Sequence, residues 1–125
     1  MENQLNPVTW FEIPAIDLDR AKSFYEKIFD IEMTISEMGP LKMAWFPGVE
    51  GAAGSTGTLI EAKSYTPSHE GTMVYFSVKD IDSVLQKVEK YGGKILHPKN
   101  SIGEYGYVGH FEDCEGNRVA LHSES

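Results

Sequence analysis

One segment occurs twice, and that repetition constrains the fold more than any other feature. Trp10-Phe11-Glu12-Ile13-Pro14-Ala15-Ile16-Asp17-Leu18-Asp19 opens the first half, and Met73-Val74-Tyr75-Phe76-Ser77-Val78-Lys79-Asp80-Ile81-Asp82 opens the second. Each copy runs from an apolar and aromatic strand into Asp-x-Asp, and each Asp-x-Asp leads an amphipathic helix. Trp10 therefore corresponds to Met73 and Asp17 to Asp80. The pattern is that of one half-domain used twice.

With 125 residues the chain is long enough for one domain with a real core and too short for two independent ones. The reading is a single domain over residues 1–125, with module 1 at about 5–63, a linker at about 64–71 and module 2 at about 72–125. Apolar residues make up 41% of it, which argues against disorder. A net charge of −8 repels phosphate backbones and anionic lipid, so neither nucleic acid nor a membrane surface is expected as a partner. No run is long and apolar enough to cross a bilayer, and Met1-Glu2-Asn3-Gln4 has no basic start before an apolar stretch. A soluble cytoplasmic protein is expected. The single cysteine, Cys114, has no internal partner, and flanking Asp113 and Glu115 raise a thiol pKa, so it reads as a turn residue.

Periodicity supplies the elements between these landmarks. A strand over 8–14 is stopped by Pro14, and Asp17 is suited to cap the helix that follows. Leu18, Ala21, Phe24, Tyr25 and Ile28 fall on one face of that helix. Strands follow at 31–36, 42–46 and 58–62, with a glycine-rich loop over 47–57. The second half repeats the order, with a strand at 72–78 and a helix carrying Ile81, Val84, Leu85, Val88 and Tyr91 up to Gly92-Gly93. A short strand at 94–97 is closed by Pro98. Gly103, Gly106 and Gly109 then mark an edge, a bulge or a close approach to something bound. Strands at 107–112 and 118–123 flank a turn at 113–117. The fold class is α+β: two βαβββ modules forming a curved, mostly antiparallel sheet cup with helices on its convex side.

Asp17-Leu18-Asp19-Arg20-Ala21-Lys22-Ser23-Phe24-Tyr25, Val78-Lys79-Asp80-Ile81-Asp82, Gly92-Gly93-Lys94 and Phe111-Glu112-Asp113-Cys114-Glu115-Gly116-Asn117-Arg118 resemble the vicinal oxygen chelate superfamily. That superfamily includes glyoxalase I, bleomycin-resistance proteins, fosfomycin-resistance enzymes and extradiol dioxygenases. The resemblance implies a small-molecule ligand in the cup and a homodimer. In metal-dependent members a His, Gln or Glu on the first strand of each module and a Glu on the last strand of each meet in the cup. Carried onto this chain, three of those positions fall on Trp10, Met73 and Ala120, and the fourth falls near Ile60 or Glu61. Indole, thioether and methyl offer no donor to a hard divalent ion, so the usual metal site is absent and no cofactor is expected.

Strand parity places other side chains on the face of those positions. Glu12 shares it with Trp10, Tyr75 and Ser77 share it with Met73, and Arg118 and His122 share it with Ala120. A five-residue turn sets Glu112 opposite Arg118, His110 opposite Ala120 and Val108 opposite His122, leaving the two histidines about 7–8 Å apart on the diagonal. Glu112 with Arg118 reads as a rim ion pair, and His69 and His97 read as surface residues. Trp10, Met73, Tyr75, Arg118 and His122 are the candidate ligand-binding residues, and Glu12 as base with His110 as acid or oxyanion donor are the candidate catalytic ones. A carboxylate with two imidazoles, Glu12, His110 and His122, is also a possible nonstandard divalent metal site. Three functions remain open: a lyase or isomerase working by proton transfer; a non-catalytic protein that sequesters a small molecule in the manner of bleomycin-resistance proteins, for which the acidic surface favours a cationic guest; and an interaction domain whose cavity is vestigial.

Overall fold

Asp17 and Asp80 play the same part in their two modules. In the computed structural model, which describes residues 6–125, each has an extended backbone, and each carboxylate accepts an amide three residues on: Arg20 N–H for Asp17 and Ser83 N–H for Asp80, both at 3.1 Å. One orphan donor of each helix start is thereby satisfied. The helices they open are α1 (Leu18–Phe29) and α2 (Ile81–Lys90). The buried stripe of α1 is Leu18, Ala21, Phe24, Tyr25 and Ile28, as the spacing requires, and α2 buries Ile81, Leu85 and Val88.

In the first module β1 (Glu12–Pro14) precedes α1, and β2 (Thr34–Met38), β3 (Leu41–Trp45) and β4 (Thr58–Glu61) follow it; the second has β5 (Tyr75–Ser77) before α2, then β6 (Lys94–Ser101), β7 (Tyr107–Glu112) and β8 (Arg118–Ser123). The strand orders are β1-β4-β3-β2 and β5-β8-β7-β6, the same arrangement twice. Only β1 with β4 and β5 with β8 are parallel pairs. The two expected βαβββ modules are thus each a four-stranded, mostly antiparallel sheet, and among the described residues the edge strands β1 and β5 carry no ladder between them.

Helices cover one face of each sheet. Ile13, Ala44 and Leu59 lie under α1, and Phe111, Val119 and Leu121 lie under α2, all almost fully buried in one continuous core. Residues of opposite parity, such as Glu12, Trp45, Tyr75, Ser77 and His110, lie on the uncovered face. Gly109 is needed where α2 crosses β7, because a Cβ there would sit 3.0 Å from Ile81 Cγ2 and 3.4 Å from Leu85 Cδ1. The close approach that the glycine spacing signals is to a helix.

Several strand boundaries differ from the periodicity, and β2 begins at Thr34 instead of residue 31. β1 and β5 are short, so Trp10 and Met73 precede their strands. Both strands lie at the edge of their sheet and pair on one side only. β6 continues past Pro98 to Ser101, with register shifts between Ile95 and His97 and between His97 and Asn100. On an edge strand with bulges, proline's missing N–H leaves no ladder bond broken.

The turn at 113–117 is more than a turn. Buried Asp113 accepts the Tyr25 hydroxyl at 2.6 Å, the Glu115 and Asn117 amides at 2.9 Å each, and Asn117 Nδ2 at 2.9 Å. Glu115 accepts the Ile16 and Asp17 amides at 2.7 and 2.8 Å and Arg20 Nε at 2.6 Å, and Asn117 Nδ2 also donates to Pro14 O at 2.7 Å. A turn of the second module therefore holds the strand end and helix start of the first, fixing how the two uncovered faces meet.

Candidate functional site

The last hairpin has the register that its turn length dictates: Glu112 opposite Arg118, His110 opposite Ala120, Val108 opposite His122. Parallel pairing sets Tyr75 beside Ala120 and Ser77 beside His122. Tyr75, Arg118, His110 and His122 are therefore on one uncovered face. Tyr75 is half exposed, and its ring meets that of His110 edge-on with centroids 6.0 Å apart.

Arg118 Nη2 lies 3.0 Å from His110 Nδ1. A guanidinium has only donors, so Nδ1 is the acceptor and the imidazole is the neutral tautomer with its proton on Nε2. Burial lowers the His110 pKa below its usual value, and the charges of Arg118 and His97 lower it further. The result is a neutral donor, Nε2–H, beside a permanent cation.

Arg118 has no carboxylate within ion-pair reach among the described residues. The rim pair with Glu112 does not form, because Glu112 is held by His69 Nε2 at 2.8 Å. Arg118 Nε is buried and lacks a hydrogen-bond partner.

His122 is committed elsewhere. Its Nε2 lies 2.6 Å from Tyr105 O, and a carbonyl only accepts, so Nε2–H donates and holds the 3-10 turn Gly103–Tyr105 over the end of the sheet. Beneath that turn is a cavity of about 630 Å³ lined by Tyr75, Ser77, Ile102, Tyr105, Val108 and His122, within the usual range for small-ligand sites. Tyr75 separates it from the Arg118 and His110 pair.

Glu12 lies on the first sheet, exposed, with its carboxylate beside the Tyr65 hydroxyl, whose pKa that hydrogen bond and charge raise. It contacts neither His110 nor Arg118. Trp10 is 56% exposed ahead of β1, and Met73 is half-buried ahead of β5. The two catalytic candidates are thus placed on separate sheets with separate partners. Sequence reasoning misses two contacts. Tyr65, in the segment between the modules, meets Glu12. His97 is exposed, as expected, and its pairing with His110 across β6 and β7, with ring centroids 5.1 Å apart, follows from β6 running on through Pro98.

The donor set does not suit a hard divalent ion. Glu12 pairs with Thr58 and Tyr75 with Ala120, and Glu12 and Tyr75 correspond in the repeat, so the fourth position is Thr58 and not Ile60 or Glu61. Glu61 Oε1 instead accepts the Leu18 amide at 2.8 Å. Indole, hydroxyl, thioether and methyl then occupy the four places. The Thr58 Oγ1 is buried without a partner, but one neutral hydroxyl is a poor anchor for an ion. Among the described residues no group of three His, Cys, Asp or Glu side chains is placed to hold a metal, and Glu12, His110 and His122 do not converge.

Comparison with known proteins agrees with this architecture. Residues 5–121 match the family model described as Glyoxalase/Bleomycin resistance protein/Dioxygenase superfamily. A "Glyoxylase-like domain-containing protein" from Didymella fabae is 29% identical over 118 residues, covering 91% of each chain. A glyoxylase/bleomycin resistance protein/dioxygenase domain from Frankia sp. EAN1pec superposes with a TM-score of 0.73 at 19% identity, over 95% of this chain and 98% of that one. Glyoxalase I from Zea mays gives 0.68 at 18%, over 94% of this chain and 46% of that one. The fosfomycin resistance protein FosX from Listeria monocytogenes gives 0.67 at 16%, over 97% and 93%.

Proposed function

Given that the chain belongs to the glyoxalase/bleomycin resistance protein/dioxygenase superfamily, we propose that it binds and sequesters a small anionic metabolite on the uncovered face of its second sheet. The observation that carries this reading is the Arg118 guanidinium. It has no counter-ion among the described residues of a chain with net charge −8, and its Nε is buried without a partner. The guanidinium is half-buried, and a cation with an unpartnered buried donor and no counter-charge is costly; an anionic guest supplies the missing charge. His110 Nε2–H adds a neutral donor beside it. Beyond Tyr75, the cavity under the Gly103–Tyr105 turn receives the body of the ligand.

Catalysis by proton transfer is the weaker reading. It needs Glu12 and His110 to address one substrate, and they stand on different sheets. No step through a metal is assigned, because the four places that relatives use hold no suitable donor set. A homodimer, implied by the family resemblance, and the cytoplasmic location expected from the sequence belong to the same proposal. Exposed Trp10 and Met38 on the first sheet's side favour a second copy, and sedimentation velocity tests it.

The deciding experiment is a calorimetric screen of small carboxylates and phosphate esters against wild type and Arg118→Ala. At least one binder that loses about tenfold or more in affinity on the substitution is expected. Equal affinity in both proteins for every binder found overturns the assignment.

A further inference from the structure

The helix-covered side contains a larger hollow that borders the site above only along β5, at Tyr75 and Ser77. It measures about 770 Å³ and opens where the two modules meet, between the C-terminal end of α1, the N-terminal half of α2 and the loop after β3. We propose that this hollow is a second binding site, for a flat apolar molecule bearing one anionic group.

Its floor is aromatic. Phe76 is the hub, with ring centroids 4.8 Å from Phe29, 5.1 Å from Phe46 and 5.5 Å from Phe11. Phe11, Phe29 and Phe76 line the hollow and are only partly buried. Three neighbouring rings left partly wet in this way are a standing cost that a flat guest removes by offset or edge contact. The roof, Ala53-Gly54-Ser55-Thr56, has small side chains that leave the space unfilled.

The walls set the charge. Lys79 and Lys87 line the hollow, and neither has a carboxylate within ion-pair distance among the described residues. Among the described residues Asp80 is the one acidic side chain on its lining, and it is engaged in capping α2. In a chain of net charge −8 this is a local excess of positive charge facing an apolar floor.

Polar recognition is available from the backbone. Ala120 N–H donates to Val74 O and Val78 N–H to His122 O, so in this parallel pair residues 74, 76 and 78 face β8. Tyr75 and Ser77 then direct their N–H and C=O groups to the open edge, where both residues line the hollow. A ligand amide, hydroxyl or ring nitrogen lying along β5 finds a donor and an acceptor there.

The probe is 1-anilinonaphthalene-8-sulfonate, a flat aromatic anion, followed by fluorescence titration of the full chain. Saturable one-to-one binding is expected. Val84→Trp, which fills the space, abolishes it, and Lys87→Glu, which inverts the wall charge, weakens it about fivefold or more. Arg118→Ala and Tyr105→Ala, on the opposite face, leave it unchanged and separate this site from the one proposed above. Circular dichroism melting shows whether each variant folds; if Val84→Trp does not, Lys87→Glu decides alone. Absence of saturable binding, equal affinity in Lys87→Glu, or loss on Arg118→Ala overturns the proposal.

Discussion

Arg118 Nη2 lies 3.0 Å from His110 Nδ1, so a permanent cation holds a neutral imidazole. Burial first, then the Arg118 and His97 charges, lower the His110 pKa. A base held below its unfolded value binds fewer protons in the folded state. Stability linked to His110 is therefore present above the unfolded value of about 6.5 and is lost as pH falls from there through the folded value. In a ring-proton NMR titration the His110 midpoint is expected to fall below the ordinary histidine value of about 6.5. Arg118→Gln should move it upward without full recovery, because burial remains. An unmoved midpoint shows that Arg118 does not act on this ring.

Tyr25 and Asp113 are expected to act as a stability lock and not as chemistry. The Tyr25 hydroxyl, fully buried, donates to Asp113 Oδ2 at 2.6 Å. Tyr25→Phe leaves a buried carboxyl one donor short, a loss of about 1–3 kcal/mol. Urea unfolding reads the loss, and ligand affinity at the Arg118 face should not change. A variant as stable as wild type shows that the turn makes up the missing bond by itself.

Much of this arrangement was legible in the sequence. Local rules sufficed where one element decides the outcome: Asp17 and Asp80 as caps, the α1 stripe from Leu18 to Ile28, and the register of β7 with β8 set by a five-residue turn. The rest depended on partners arriving from far along the chain. Glu112 faces Arg118 across the hairpin, yet His69, from the segment between the modules, takes its carboxylate. The turn at 113–117 reads as a surface loop until Ile16, Arg20 and Tyr25 are brought to it by the first module. Glu12 has the right parity for the uncovered face, but parity does not say that its neighbour is Tyr65.

Glu115 governs the acid limb of stability. Burial pushes its pKa up, but the hydrogen bonds from Arg20 and from the Asp17 and Ile16 amides outweigh that and hold it below 4.5. Its contribution is complete above the unfolded value and is lost as pH falls through the lower folded one. Asp113 runs the other way: burial raises its pKa, despite hydrogen bonds from Tyr25 and Asn117, so its protonation on acidification favours the folded form. Glu115→Ala should cost about 1–3 kcal/mol at neutral pH, since two backbone amides lose their acceptor, and should flatten the fall in stability below about pH 4.5. Thermal melts of both proteins from pH 3 to 7 make the comparison; parallel curves contradict the assignment.

Gly57 closes the loop over the aromatic floor by lying against Phe11. A Cβ there would be 2.4 Å from Phe11 O and 2.6 Å from its ring, and Thr58 N–H donates to the same carbonyl at 2.9 Å. Backbone held by a ladder bond yields little, so Gly57→Ala should destabilise by about 1–3 kcal/mol. Gly54 has open space around its Cβ direction but a φ of +82°, so Gly54→Ala there carries backbone strain alone. Chemical denaturation that ranks Gly57→Ala no worse than Gly54→Ala shows that the loop has room to shift.

Cys114 is expected to be inert in the folded protein. Burial pushes its thiol up to about 12, and Glu115 and Asp113 add to this, with Arg20 acting weakly the other way. Its Sγ lies 3.8 Å from Arg20 O and 3.6 Å from Glu115 Oε2, an environment that accepts a proton donor and disfavours a thiolate. At pH 8 the thiolate population falls on the order of a thousandfold relative to an ordinary cysteine, and the rate of disulfide exchange with a reagent falls with it. Labelling with dithiobis(nitrobenzoate) should therefore be slow in buffer and fast in urea. Glu115→Gln removes the carboxylate nearest the sulfur and should speed the reaction in the fold. Rapid labelling of native wild type, at the rate of the unfolded chain, shows that the Asp113–Asn117 turn opens far more readily than its hydrogen bonds imply.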